Sequence, residues 1–370
     1  IMKYENNLPN EIGLVLYCSR LQIDNFLIPQ LKNLIKEHLN WKKIAAFSTS
    51  HCVNQLLYRN IDKFDFLQAI IPEEYYLKLK HSYYYNLERN LNYWKEFSLI
   101  LDKFNAAGIN LIPLKGIILG DIVYHNIALR TISSDIDILI KKDDLELACL
   151  KLEELGYFTT ISEATHVHSC KKDSYLVELH TLLLPSWLNR IDTNKLWERS
   201  KNYLIAGKRV MSLSYEDMIL SLSLQISHDL PQFNLFRICD INEIISQHTD
   251  LLDWNYILNA AKVYRIYGPL CFSLYLSEKL LHCPIKKEIS DGLVRKSLKT
   301  KLLSRFSDLN IDILLNRGLK RWQVLFLKTL MTDNSGNILI KILKRKWRPP
   351  WLKPGVPKGG RLSGHSVYAF

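Results

Sequence analysis

No apolar run in this chain reaches the ~18 residues that a membrane-crossing helix needs, so no transmembrane helix is expected. No Cys-x-x-Cys pair occurs among its seven cysteines (Cys18, Cys52, Cys149, Cys170, Cys239, Cys271 and Cys283), which are scattered and odd in number. That spacing gives no support to a zinc site and little to a disulfide framework, and it fits a reducing, cytoplasmic setting. The opening residues, Met2-Lys3-Tyr4-Glu5-Asn6-Asn7, are polar and lack the apolar stretch of a secretory signal. There is no internal repeat, and the one biased segment is Pro/Gly/Lys-rich, from Pro349 onward.

The 370 residues are 48% hydrophobic and 23% charged, enough for a sizeable core and for two or three globular domains. The net charge of +12 is uneven: residues 341–370 carry eight lysines and arginines and no acid, which leaves the rest at +4. Such a run reads first as a solvated terminus and second as an arm for an anionic partner. With so mild a charge on the body, nucleic acid is not the expected ligand.

Hydrophobic periodicity predicts several amphipathic helices over residues 10–85, where Leu14, Leu21, Phe26, Leu27 and Leu31 recur at roughly helical spacing. Residues 87–107 read as one longer helix, ended by Gly108. Short apolar runs predict strands at 109–114, 135–140 and 157–161, and a hairpin from 166–170 and 175–180. Between them fall a short helix over 117–124 and a longer one over 144–155, capped by Asp143 and stopped by Gly156. From Asn194 to about Leu343 the pattern is mostly helical, with few β-like runs. The expected fold class is α+β. A small mixed sheet lies in a core over 86–182, between a helical N-terminal region (1–85) and a helical C-terminal domain (183–343), followed by a basic tail (344–370).

Within the core, Ser134-Asp135-Ile136-Asp137 opens a strand. Side chains alternate along a strand, so Asp135 and Asp137 project from one face while Ile136, Ile138 and Ile140 project from the other. Two like charges so close repel, and beside a hydrophobic strand they rarely occur without a compensating cation. Mg2+ suits them, because it prefers carboxylate oxygens and keeps positions for water and phosphate. A solvated strand edge shows acid pairs too, so the surroundings decide. Lys115-Gly116 lies where a strand gives way to a helix, a place suited to phosphate. Arg130 precedes the acid pair and carries a fork that matches phosphate. Glu178 and His180 share one face of a later strand, Glu178 as a third carboxylate or proton acceptor and His180 as its hydrogen-bonding neighbour. His166 and His168 share a strand face without an evident third ligand. The tyrosines at 75–76 and 83–85 read as helix packing.

Leu114-Lys115-Gly116, Tyr124, Arg130, Asp135-x-Asp137, Gly156-Tyr157 and Val177-Glu178-Leu179-His180 together resemble the uncharacterised nucleotidyltransferase family, within the DNA polymerase beta-type nucleotidyltransferase superfamily. The resemblance is strong over about residues 88–182. It is weaker through the C-terminal half, at Ser214-Tyr215-Glu216-Asp217, His228, Arg237, Asp240 and Asp253-Trp254. It implies transfer of an NMP from an NTP, ATP foremost, with Mg2+ or Mn2+ as cofactor and pyrophosphate as product. By position it implies that Asp135, Asp137 and Glu178 hold metal, and that Lys115, Gly116, Ile117, Arg130, Ser134 and His180 bind the nucleotide. His228, Arg237 and Asp240 are the candidates for an acceptor pocket. Where the superfamily carries Gly-Ser, this chain has Gly116-Ile117, so no serine hydroxyl meets the phosphates at that point. The acceptor stays open. A peptide fits the family's association with ribosomally made, modified peptides, and a small molecule is the other option. Two alternatives stand beside this reading: kinase-type transfer of the γ-phosphoryl group in the same pocket, and a non-catalytic nucleotide- or peptide-binding module.

Overall fold

The computed structural model describes residues 8–132, 135–160, 167–183, 190–295 and 297–332. Ser134, His166 and the basic tail lie outside the described residues. The fold is α+β. Five strands, β1 (Leu111–Pro113), β2 (Asp135–Ile140), β3 (Phe158–Thr160), β4 (Val167–Lys172) and β5 (Tyr175–His180), form one sheet in the order β1-β2-β5-β4-β3. β2 and β5 run parallel, and the other three pairings are antiparallel. Ile136, Ile138, Leu139 and Ile140 are all fully buried. β2 is therefore covered on both faces beyond Asp137, as a strand with a parallel neighbour commonly is.

Helices pack around the sheet from both ends of the chain, and one continuous apolar cluster joins N-terminal helices, sheet and C-terminal helices. The helix predicted from residue 87 begins much earlier and runs over Glu73–Ala106. Pro72 sits just before its first turn and Glu73 and Glu74 lie within it, both favourable at a helix start, and no breaker interrupts the next 34 residues. Tyr76 and Tyr83 pack on Tyr58 at 5.7 and 5.3 Å between ring centroids, whereas Tyr84 and Tyr85 stay exposed. Gly108, at φ +72°, follows the helix end.

Two local expectations are corrected. Asp143 does not cap the next helix: it falls inside a 3-10 turn, Lys142–Asp144, ahead of Leu145–Glu153. The stretch after Asn194 also holds an antiparallel hairpin, β6 (Lys201–Ile205) with β7 (Lys208–Ser212). Its turn residues Ala206 and Gly207 both have positive φ, 47° and 78°. A two-residue turn of that kind normally announces itself by Asn-Gly or Asp-Gly, and alanine in the first position hides the signal. Among the described residues no helix is long and apolar enough to cross a membrane. All seven cysteines are thiols.

His51 bolts the two helical regions together. It follows the Trp41–Ser50 helix and is fully buried. Its Nδ1 accepts from the Leu235 amide at 3.1 Å, and its Nε2 donates to the Leu315 carbonyl at 2.7 Å. These partners require a neutral ring. Burial pushes its pKa down to about 4, with the Arg317 charge adding to the effect and the bond to Leu315 opposing it. The unfolded chain therefore takes up this proton first as pH falls. The stability His51 contributes is complete above an unfolded value of about 6.5 and is lost between there and about pH 4, on the order of 3 kcal/mol in all. Chemical denaturation across that range should show the decline in the wild type and a flatter profile in His51→Gln. Parallel profiles would remove His51 from the account.

Candidate active site

The parallel register of β2 with β5 sets Asp137 opposite Glu178 and Leu139 opposite His180. Since residues two apart share a face, Asp135, Asp137, Glu178 and His180 lie on one side of two neighbouring strands. Asp137 is nearly inaccessible, at 2% exposure. Its Oδ1 receives the Lys115 ammonium at 2.6 Å and lies 2.8 Å from His180 Nε2. The same Nε2 is 3.6 Å from Glu178 Oε2.

These neighbours divide the two carboxylates electrostatically. Burial works to raise the Asp137 pKa, but the Lys115 charge and the His180 contact outweigh it and hold Asp137 below the usual carboxylate range. Glu178 is pushed up instead, by burial first and then by the charges of Asp137 and Asp135. One acid is thus held as an anion while its neighbour is made a better proton acceptor, a pattern typical of reactive sites.

One donor atom each from Asp137, Glu178 and His180 lies within 4.8 Å of the others, a grouping that could hold a metal ion. Asp135 is not among them, although its charge reaches Glu178. Lys115 stands between β1 and the Gly116–Ile122 helix with a backbone at φ 59°, ψ −132°. A non-glycine residue there carries roughly 1–3 kcal/mol of strain, a cost usually found at functional positions. Gly116 is glycine because of its own chain: a Cβ would lie 3.1 Å from the Ile132 backbone and 3.3 Å from the Arg130 guanidinium. Ile117 is buried beside it.

Several expected site residues are engaged elsewhere. The Arg130 fork grips Asp240 rather than a phosphate, with Nε to Oδ1 at 2.7 Å and an NH2 nitrogen to Oδ2 at 2.8 Å. Both side chains are almost wholly buried. The Tyr124 hydroxyl donates to the same Asp240 Oδ1 at 2.9 Å, and the guanidinium lies 4.3 Å from the Phe236 ring centroid. A buried charge needs such a partner, and Arg130 and Asp240 supply it to each other. His228 and Arg237 both pair with Asp229, which they hold far below the usual carboxylate range although burial opposes them. A cavity of about 610 Å3, lined by Arg20, Arg59, Tyr124, Asn242 and Glu243 among others, includes none of the four residues around Asp137.

The sequence reading missed the residues that hold the segment leading into β2. Asn86, Arg89 and Asn90, on one face of the Glu73–Ala106 helix, donate to the carbonyls of Ala128 (2.7 Å), Ile132 (2.6 Å) and Arg130 (2.8 Å). Their signal was the spacing of three and four residues in an otherwise aromatic stretch. It shows a shared face without showing what that face meets.

A model of the family described as uncharacterised nucleotidyltransferase matches residues 37–282 of the chain. None of the curated proteins compared matches it. Two solved structures are similar over part of it, both of the antibiotic-resistance factor ANT(2'')-Ia: one in solution, the other a crystal structure with adenylyl-2''-tobramycin. Each is 14% identical, with a TM-score of 0.35, over 46% of this chain and 90% and 97% of those chains respectively.

The Arg130–Asp240 pair allows a direct test. Asp240→Ala strands a buried guanidinium and should cost about 3–5 kcal/mol in urea denaturation. The double replacement Arg130→Met with Asp240→Leu leaves no lone charge and should recover much of that loss. If Asp240→Ala unfolds at the wild-type midpoint, the pair is not what ties this segment to the C-terminal helices.

Proposed function

Because the chain belongs to the uncharacterised nucleotidyltransferase family, we propose that it moves an NMP from an NTP, ATP foremost, to a hydroxyl, phosphate or carboxylate of a peptide or small-molecule acceptor, with a divalent ion as cofactor. One observation carries the reading: Asp137 lies in register with Glu178 on neighbouring parallel strands, with His180 and a lysine ammonium both on the same Asp137 oxygen. The donor set fits a divalent cation, since two carboxylates and an imidazole converge within 4.8 Å. Asp137 and Glu178 would hold it, with Asp135 adding negative charge from the same strand face. An ion held there would supply charge neutralisation at the α-phosphate and a lower pKa for the acceptor hydroxyl.

The chain's own groups supply the rest. For a hydroxyl acceptor, the oxygen attacks the α-phosphorus, the bond to the bridging α–β oxygen breaks, pyrophosphate leaves, and the proton passes to the Glu178 carboxylate. Lys115, a quarter exposed, has room to turn its ammonium from Asp137 to the triphosphate. With Arg130 committed to Asp240, Lys115 is the cation beside the acids that can take this role. Fixed placement of these charges, rather than covalent chemistry by the protein, supplies most of the acceleration.

The test is mass spectrometry of candidate acceptors after incubation with mixed NTPs and Mg2+, alongside pyrophosphate release. An adduct with the mass of an NMP is expected, and a phosphate-sized adduct would establish kinase-type transfer instead. Asp137→Asn should fold normally yet lose more than about 100-fold in turnover, because removing even an outer partner of a metal site costs 10–100-fold. Turnover by that variant near the wild-type rate would overturn the mechanism.

A further inference from the structure

Resting on the reading above, we propose that His180 is itself a ligand of the metal, so that the ion is held by one nitrogen and two carboxylates rather than by three carboxylates. Metal–donor bonds of about 2.0–2.1 Å put adjacent octahedral donors about 3 Å apart and opposite donors about 4 Å apart. His180 Nε2 is 2.8 Å from Asp137 Oδ1 and 3.6 Å from Glu178 Oε2. Both distances lie within the range that one ion requires. Asp135, expected to hold metal together with Asp137 and Glu178, is outside the converging group.

The fold makes this placement hard to avoid. Glu178 and His180 are two residues apart on β5, so they share a face, and β5 lies beside β2 with Glu178 in register with Asp137. His180 is 6% exposed, so its ring is kept at the acids and away from water. The Lys115 ammonium sits on the oxygen that the ion would take, and its partly exposed side chain gives it a way out.

A nitrogen donor has a chemical consequence. Mg2+ selects oxygen ligands, whereas imidazole favours first-row transition ions. The site should therefore bind Mn2+ more tightly than Mg2+, by about tenfold or more, with His180 as the origin of the difference.

The experiment titrates nucleotide-free, full-length protein with Mn2+, following the free ion by electron paramagnetic resonance, with Mg2+ as competitor. Electron spin-echo modulation of the bound Mn2+ then reports any directly coordinated nitrogen. A 14N imidazole signal is expected in the wild type, changing to the 15N pattern when the protein is labelled with 15N-histidine. His180→Gln should lose the signal and about tenfold in Mn2+ affinity, with little change for Mg2+. Mn2+ binding that Asp137→Asn abolishes, but that shows no nitrogen signal in the wild type, overturns the role of His180 and leaves the carboxylate site standing. No Mn2+ binding beyond that of Asp137→Asn overturns both. The wild-type spectrum decides the question even if the His180 variant fails to fold.

Discussion

The site depends on the parallel pairing of β2 with β5. Asp137 and Glu178 are separated by a helix, two strands and a hairpin turn, yet the ladder sets them opposite each other. Neighbouring strands are less than about 5 Å apart, so two acids in register on one face are forced together. A one-residue slip would turn Glu178 and His180 into the core and bring Val177 and Leu179 to the acids. The wholly buried Val177, Leu179, Ile136 and Ile138 make that slip costly. The same apolar residues that build the sheet therefore fix the geometry of the candidate site.

Bringing acids together under partial burial creates an electrostatic cost, and the surrounding residues are arranged to meet it. Lys115 neutralises Asp137 from the β1 end, through a backbone that no relaxed helix or strand would adopt. His180 reaches the same oxygen from β5. Glu178 receives less help and keeps a raised proton affinity. The segment entering β2 is held from two directions, by Asn86, Arg89 and Asn90 on its carbonyls and by Asp240 on Arg130. That shell commits Arg130 and Asp240 to positioning, which explains why two residues that look like ligand-binding groups in the sequence touch no open space. It also places the C-terminal helix Leu235–His248 one ion pair away from the strand that carries the acids.

How much was legible follows from the range of each interaction. β2 was readable to the residue because its signal is local: two acids ahead of a β-branched run. The shared face of Glu178 and His180 was readable for the same reason, since period two is a property of any strand. The long Glu73–Ala106 helix was under-read at its start. The β6–β7 hairpin was missed because Ala206 adopts positive φ without the usual residue type.

The sequence by itself determined the α+β class, the strand bearing the acid pair and the candidate carboxylates, because alternation and local turn chemistry are written within a few residues. The tertiary structure alone decided which of them meet. It put Lys115 on Asp137, brought His180 rather than Asp135 into the converging donors, and gave the Arg130 fork to Asp240. Those choices are made between residues 22 to 110 positions apart. At that distance what settles a contact is the balance of burial against charge across the whole fold, and no short stretch of sequence encodes that balance.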